Sequence, residues 1–172
     1  MALPIDTLNS LSCATDKDAW EKIVEMALGT MARPIETSEA SAAYSQISNR
    51  EDEISLLDMY LSNCAWELWH SFENCVERTS SRLASFWAEG DQAKAILILD
   101  GLSLRELPML ISGAKAHGFA LHHTGAYGSE LPGDTTPFAN ALGFSARASL
   151  QNNNAKSNKF PDAFLETRPC RQ

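Results

Sequence analysis

Asp100 is the first residue in this chain whose position could carry chemistry. It follows a continuous apolar run, Ala95 to Leu99, and precedes Gly101. A carboxylate at the end of a buried strand is a suitable ligand for a divalent cation, and the Gly lets the backbone turn sharply after it. An Asp at this point would serve equally well as the cap of the next helix. The pattern predicts a metal ligand and leaves capping as the alternative.

Thr135 and Thr136 form the second candidate. They lie at the end of a turn-rich segment, residues 124–137, just before a short helical pattern. A hydroxyl there could be presented to a substrate, with the helix N-terminus stabilising negative charge beside it. A hydroxyl needs a base or a metal to become a good nucleophile, and this requirement connects the pair to Asp100. The alternative is that either Thr caps the helix that begins near Pro137.

The elements that would position these residues follow one another closely. Residues 95–99 read as a strand buried on both faces, and the apolar spacing from 104 to 114 predicts a helix that ends near His117 and Gly118. Residues 119–123 read as a second strand. This order is typical of a strand–helix–strand crossover, and in open parallel sheets ligands collect beyond the carboxyl ends of the strands.

The first half of the chain predicts long helices. Residues 16–31 repeat apolar side chains every three or four positions, with Asp16 as the N-cap and Pro34 beyond the end. Residues 48–89 show the same repeat. Unbroken, that second helix would be about 60 Å long, whereas a domain of this size has a radius of gyration of about 16 Å. We therefore expect a break near residues 79–81 or an incomplete fold.

Three tryptophans, Trp66, Trp69 and Trp87, widen the apolar stripe of the 48–89 helix. We expect them to bury against a partner surface. Helices 16–31 and 48–89 are accordingly the candidates for docking a protein partner or a second copy of the chain. This is the main alternative to an enzyme: a non-catalytic interaction module that uses its amphipathic helices.

Composition limits the remaining possibilities. The chain has 172 residues and a net charge of −8, which suits one domain and argues against a protein that grips nucleic acid through bulk positive charge. We find neither a membrane-length apolar stretch nor a signal peptide, so we expect a cytoplasmic protein. The four cysteines lack metal-site spacing, and we expect reduced thiols, with Cys64 and Cys75 filling a helix interface.

Two segments together carry a family resemblance. The run AILILDGL at 95–102, the helix after it and the segment LPGDT at 131–135 resemble the PglZ domain of the alkaline phosphatase superfamily. The resemblance covers residues 90–155. It implies an α/β fold, with a helical region at 1–90 followed by 91–172 as the start of an alkaline-phosphatase-like parallel sheet.

The resemblance also implies roles for individual residues. Asp100 would be a metal ligand, Thr135 the nucleophile that takes up the phosphoryl group, and Thr136 its substitute. Asn140 would help to place the phosphate. The cofactor would be a pair of divalent metals, zinc above all, the substrate a phosphate ester, and the context bacterial defence against phage.

The chain departs from that family in its metal ligands. The superfamily completes its metal sites with Asp and His residues late in the chain, whereas all four histidines here precede Thr135. His122 and His123 are adjacent on the second predicted strand, so at most one of them would face a given site. We therefore expect an incomplete or truncated phosphatase or phosphodiesterase fragment that is inactive alone.

Overall fold

The structure, a computed structural model, describes residues 3–90, 92–151, 154–160 and 162–165. Over these ranges regular secondary structure is helical. The helices are α1 (Ile5–Ser12), α2 (Asp16–Met31), α3 (Ala40–Asn63), α4 (Trp66–Trp69), α5 (Phe72–Cys75), α6 (Thr79–Ala88), α7 (Leu107–Ala116) and α8 (Thr135–Ala141). Turns of 3₁₀ helix cover Leu104–Glu106 and Arg147–Gln151. None of the helices in the described ranges has the length and apolar character needed to span a bilayer.

The predicted α/β class is wrong. No strand or sheet forms within the described residues, where the nearest feature is a one-residue parallel bridge between Arg78 and Gly128. Residues 95–99, predicted as the first strand of a parallel sheet, have no regular secondary structure, and Leu97 is 82% exposed. Residues 119–123, the second predicted strand, are also irregular and exposed. An apolar run becomes a strand only when a neighbouring strand pairs with its backbone groups, and neither run has such a neighbour.

The chain divides into two compact units. Unit 1 comprises Met1–Val76 and Gly101–Ala126, and unit 2 comprises Glu77–Asp100 and Tyr127–Gln172. The charge divides with them. Unit 1 holds 14 acidic and 6 basic side chains, whereas unit 2 holds 8 of each. The whole net charge of −8 therefore belongs to unit 1, and unit 2 is neutral overall.

Trp20, on α2, is the centre of the unit 1 core. It is 3% exposed, and its indole Nε1–H donates to the carbonyl oxygen of Leu68 at 3.1 Å and to Ser71 Oγ at 3.3 Å. The rings of Trp69 and Phe72 meet its ring at centroid distances of 5.1 and 5.0 Å. The other buried core members are Leu3, Leu11, Ala19, Ile23, Leu57 and Val76. The predicted bounds of α2 are confirmed, but its N-cap is Thr15, which accepts from the backbone of Asp18.

The predicted start of the 48–89 helix is wrong, whereas the expected break near residues 79–81 occurs just before α6, which begins at Thr79. α3 begins at Ala40, before the predicted start at residue 48, and it ends at Asn63. Two single-turn helices follow before α6 begins at Thr79. The physical reason is tertiary. Breaking the helix after Asn63 folds α4 and α5 back onto Trp20, which buries more apolar surface than a straight rod could.

The tryptophans on these pieces differ in environment. Trp66 is 69% exposed and Trp69 is 41% exposed, so neither is buried within this chain, and their burial against a partner surface stays a prediction. Trp87 is half-buried, and its ring contacts the Phe160 ring edge-on at 5.7 Å. Cys64 is exposed rather than at a helix interface, and Cys75 packs against the unit 1 core. Cys170 lies outside the described residues.

Two bidentate ion pairs cross the surface of unit 1. Arg33 donates to both carboxylate oxygens of Glu53 at 2.9 and 2.7 Å. Arg105 donates to both carboxylate oxygens of Glu51 at 2.8 and 2.6 Å. Each hydrogen-bonded guanidinium lowers the pKa of its partner carboxyl. Because the side chains are largely exposed, the pairs orient neighbouring segments more than they stabilise the fold.

Unit 2 has a small core at the C-terminal end of α8. Its buried apolar residues are Ala139, Leu142 and Phe160. Ser157 is buried beside them, donates to the carbonyl oxygen of Leu142 at 2.5 Å and accepts from the backbone of Phe160 at 3.1 Å. The buried hydroxyl thereby satisfies one of the carbonyl groups that a helix leaves unpaired at its end.

Candidate functional site

The loop that leads to Thr135 is fastened to the beginning of α6. The backbone N–H of Thr79 donates to the Gly128 carbonyl at 3.0 Å, and the N–H of Gly128 donates to the Glu77 carbonyl at 2.8 Å. Ser80 Oγ donates to Glu130 Oε1 at 2.5 Å, and Ser80 is itself buried. These contacts fix the chain just before the Leu131–Pro132 peptide, which is cis. The loop therefore enters α8 from an anchored position.

Asp134, rather than either Thr, caps α8. Its carboxylate accepts from the backbone N–H of Thr136 at 2.6 Å, and its backbone is extended as at other N-caps. Thr135 is the first residue of the helix. The alternative in which Thr135 or Thr136 serves as the cap does not occur, and the Thr135 hydroxyl is left for other contacts.

Asp100 is likewise not a helix cap. The helical segment after it is capped by Ser103, which forms a capping box with Glu106. The hydrogen bonds from the Ser103 side chain and backbone lower the pKa of Glu106. Gly101, with φ at +80°, makes the turn between Asp100 and this segment, a conformation that favours Gly. Both capping alternatives are therefore taken by other residues.

The structure brings Asp100 and Thr135 together, although 35 positions separate them in sequence. The Thr135 hydroxyl points at Asp100 Oδ1 with 3.4 Å between the oxygens. This contact is longer than the 2.5–3.0 Å of an ordinary O–H···O hydrogen bond. It orients the hydroxyl toward the carboxylate without locking it there. A carboxylate so placed could accept the hydroxyl proton or share a cation with the hydroxyl oxygen.

Arg147 completes this cluster, and sequence reasoning missed it. Its Nη2 atom lies 3.7 Å from Asp100 Oδ2, and the side chains of Arg147 and Asp100 are 62% and 60% exposed. One carboxylate thus faces a hydroxyl through one oxygen and a guanidinium through the other. Arg147 begins the 3₁₀ turn after α8, where no motif or periodicity marks it. Only the fold of unit 2 brings it to Asp100.

The other predicted site residues stand apart from this contact. Thr136 is exposed, and its backbone N–H is engaged by Asp134. Asn140 is exposed near the end of α8, and its carbonyl oxygen accepts from Gly143 at 2.9 Å. Asn140 lies five positions after Thr135, which puts the two side chains on different sides of a regular helix. The roles of Thr136 as substitute nucleophile and of Asn140 in phosphate placement remain predictions.

The described residues do not assemble a metal site. Asp100 and Thr135 supply two oxygen donors, whereas zinc takes four ligands and magnesium or manganese about six. Within the described ranges no group of three His, Cys, Asp or Glu side chains could hold a metal ion. His122 and His123 belong to unit 1 and are exposed. The described residues therefore offer a divalent ion two oxygen donors, which is too few to hold it tightly.

Comparison with known proteins adds no assignment. No family model matches the chain, and neither a curated protein nor a solved structure matches it.

Proposed function

We propose that this chain carries the nucleophile and one metal ligand of a PglZ-like phosphoric ester hydrolase, that it acts in the cytoplasm in phage defence, and that it is inactive alone. Thr135 is the nucleophile and Asp100 the ligand. A single observation supports the proposal above all: the Thr135 hydroxyl faces Asp100 across 3.4 Å. The proposal depends on this side-chain pair.

The chemistry follows from the pair itself. The Thr135 oxygen would attack phosphorus and form a phosphothreonine, while its proton passes to Asp100 or to water. The alkoxide of the ester would leave and take a proton from water, and a water molecule would then hydrolyse the phosphothreonine to free phosphate. Without further cations the developing charge on the phosphoryl oxygens is poorly stabilised. Two protein oxygens cannot retain a divalent ion tightly. Inactivity of the chain alone is the consequence.

The first experiment follows the metal. We expect Mn²⁺ at millimolar concentration to broaden the backbone amide resonances of Asp100 and Thr135 in ¹⁵N NMR spectra. Asp100→Asn should abolish the broadening, because it removes the charged donor. Asp58→Asn, at an exposed position on α3, should leave it unchanged. Broadening that is confined to other acidic residues, or that survives Asp100→Asn, contradicts the assignment of Asp100.

The second experiment follows the nucleophile. In the presence of Zn²⁺ or Mn²⁺, the chain should hydrolyse p-nitrophenyl phosphate no faster than its Thr135→Ala variant does. Turnover that Thr135→Ala abolishes and Thr136→Ala spares would establish the nucleophile and overturn the expected inactivity. Turnover that survives Thr135→Ala overturns the nucleophile.

A non-catalytic interaction module is the second candidate, supported by the exposed apolar surface of unit 1. Trp66 is 69% exposed and Met109, on α7, is 73% exposed. α2 is unsuited to this role because its apolar face forms the core around Trp20. Since unit 1 carries all the net negative charge, a partner there would be basic. The other occupant is a second copy of the chain, which sedimentation equilibrium tests. A monomer at every concentration excludes a homodimer, and a dimer that Trp66→Ala dissociates would replace the basic partner by self-association.

A further inference from the structure

Asp100 connects two groups of opposite chemical character. Its Oδ1 atom faces the Thr135 hydroxyl at 3.4 Å, and its Oδ2 atom faces Arg147 Nη2 at 3.7 Å. All three residues belong to unit 2, and the turn that carries Arg147 packs against α8. The guanidinium and the proposed nucleophile therefore contact the two oxygens of one carboxylate.

A guanidinium in this position suits a phosphoryl group. Its planar fork of N–H donors matches two phosphate oxygens at once, which an ammonium group cannot do. Arg147 remains 62% exposed, so an incoming anion can reach it without rearrangement of the core. Unit 2 is neutral overall, so phosphate meets no net repulsion from this unit.

We infer that Arg147 is the phosphate-binding residue of this site and holds the oxygens of a terminal phosphoryl group against Thr135. The inference rests on the proposed function for its place in catalysis. The binding step itself requires neither metal nor turnover. The ligand class is inorganic phosphate or the terminal phosphate of a monoester, whose second negative charge strengthens its attraction to the guanidinium.

The ion pair between Asp100 and Arg147 predicts how removal of the Asp100 charge changes the affinity for phosphate. In the free chain Asp100 and an incoming phosphate compete for the same guanidinium, and the carboxylate also repels the anion. Removing the Asp100 charge should therefore tighten phosphate binding when no metal is present. If Asp100 instead acted through a bound cation that attracts phosphate, the same change would weaken binding.

The test is an NMR titration of the full chain with inorganic phosphate, at low ionic strength and with a chelator present. Arg147→Gln should weaken binding by about tenfold or more, the effect of losing a charged hydrogen-bond donor. Arg147→Lys keeps the charge and loses the planar fork of donors, so its phosphate affinity should lie between those of the parent chain and Arg147→Gln. Asp100→Asn should tighten binding by up to about fivefold, the range of exposed ion pairs.

Arg82→Gln is the matched control. Arg82 is also in unit 2, is 38% exposed, and pairs with Glu89 at the same 3.7 Å. The Arg82→Gln substitution removes one positive charge of unit 2 and leaves Asp100, Thr135 and Arg147 in place. Its phosphate affinity should therefore stay within about twofold of that of the parent chain. Equal losses in the two Gln variants would overturn the inference, because net charge alone would then explain binding. Absence of phosphate binding to the parent chain, or weaker binding in Asp100→Asn, would overturn it as well.

The inference and the proposed function fail separately. Thr135→Ala removes the nucleophile but keeps Arg147, so phosphate binding should persist in that variant. If phosphate binds as expected while Mn²⁺ never reaches Asp100, the anion site stands and the metal assignment falls. If Mn²⁺ binds at Asp100 and phosphate does not bind at Arg147, the metal assignment stands and the anion site falls.

Discussion

Replacing Gly143 by Ala should destabilise unit 2 through two separable effects. Gly143 follows α8 with φ at +85°, in the left-handed region. A Cβ atom there would overlap Asn158 Oδ1 and approach Ser157 Oγ to 2.9 Å and the Lys159 backbone nitrogen to 3.0 Å. Ser157 has little room to move, because its buried hydroxyl bonds Leu142 and Phe160.

The magnitude follows from these two effects. Placing Ala in the left-handed conformation costs about 1–2 kcal/mol. Crowding the segment that packs over Gly143 adds about 1–3 kcal/mol, the usual cost of an overpacked site. The total loss in free energy of unfolding is therefore about 2–5 kcal/mol. Each 1 kcal/mol lowers the melting temperature of a chain this long by about 2–4 °C.

Gly118→Ala separates the two effects. Gly118 has nearly the same φ, +82°, but nothing lies within 4 Å of its ideal Cβ position. Gly118→Ala should therefore lower the free energy of unfolding only by the cost of the left-handed conformation, about 1–2 kcal/mol. Urea unfolding followed by circular dichroism measures both variants, and hydrogen exchange of the Leu142 and Phe160 amides reports the local effect. Equal losses in the two variants would refute the close packing of residues 157–159 over Gly143.

Two further predictions concern unit 1. Trp20→Ala should lower the free energy of unfolding by about 3–5 kcal/mol. Trp20→Phe should lower it less, because it keeps a ring against Phe72 and loses only the indole donor to Leu68. If urea unfolding gave the same loss for both variants, packing of the ring would not be what stabilises this core. Arg105 lowers the pKa of Glu51 below its usual 4.5, so the pair stabilises the folded chain above that pH and loses its effect as pH falls through the lowered pKa. The small stability advantage over Arg105→Gln should thus be present at pH 7 and be lost at acid pH, once Glu51 is protonated in the folded chain. An advantage that grows on acidification would contradict this ion pair.

The helices were predictable where the apolar spacing runs through a segment that does not change direction. α2 runs over the predicted residues because its apolar repeat is also its core face. α7 ends at Ala116, one residue before the predicted stop at His117 and Gly118. The long helix failed because the apolar repeat over 48–89 continues through points where the chain turns back. Spacing alone cannot reveal such turns, since they are fixed by contacts with Trp20.

The strand predictions failed for a different reason. The run Ala95 to Leu99 has the composition of a buried strand, but composition does not supply a pairing partner. In the folded chain Lys94, at the start of this run, donates to backbone carbonyl groups at the end of α6, including that of Trp87 at 2.9 Å. The segment is fastened at one end and remains unpaired.

The sequence by itself determined which residue types are available for chemistry: one Asp before a Gly, and a Thr at the start of a short helix. Their chemistry is local, so residue type and flanking turns suffice to nominate them. Tertiary structure decided that Asp100 and Thr135 face each other, that Asp134 and Ser103 take the capping roles, and that Arg147 joins the carboxylate. These contacts join residues up to 47 positions apart, between Asp100 and Arg147. Such distances are closed only when α8 and its flanking turns pack into one unit, which no local pattern encodes.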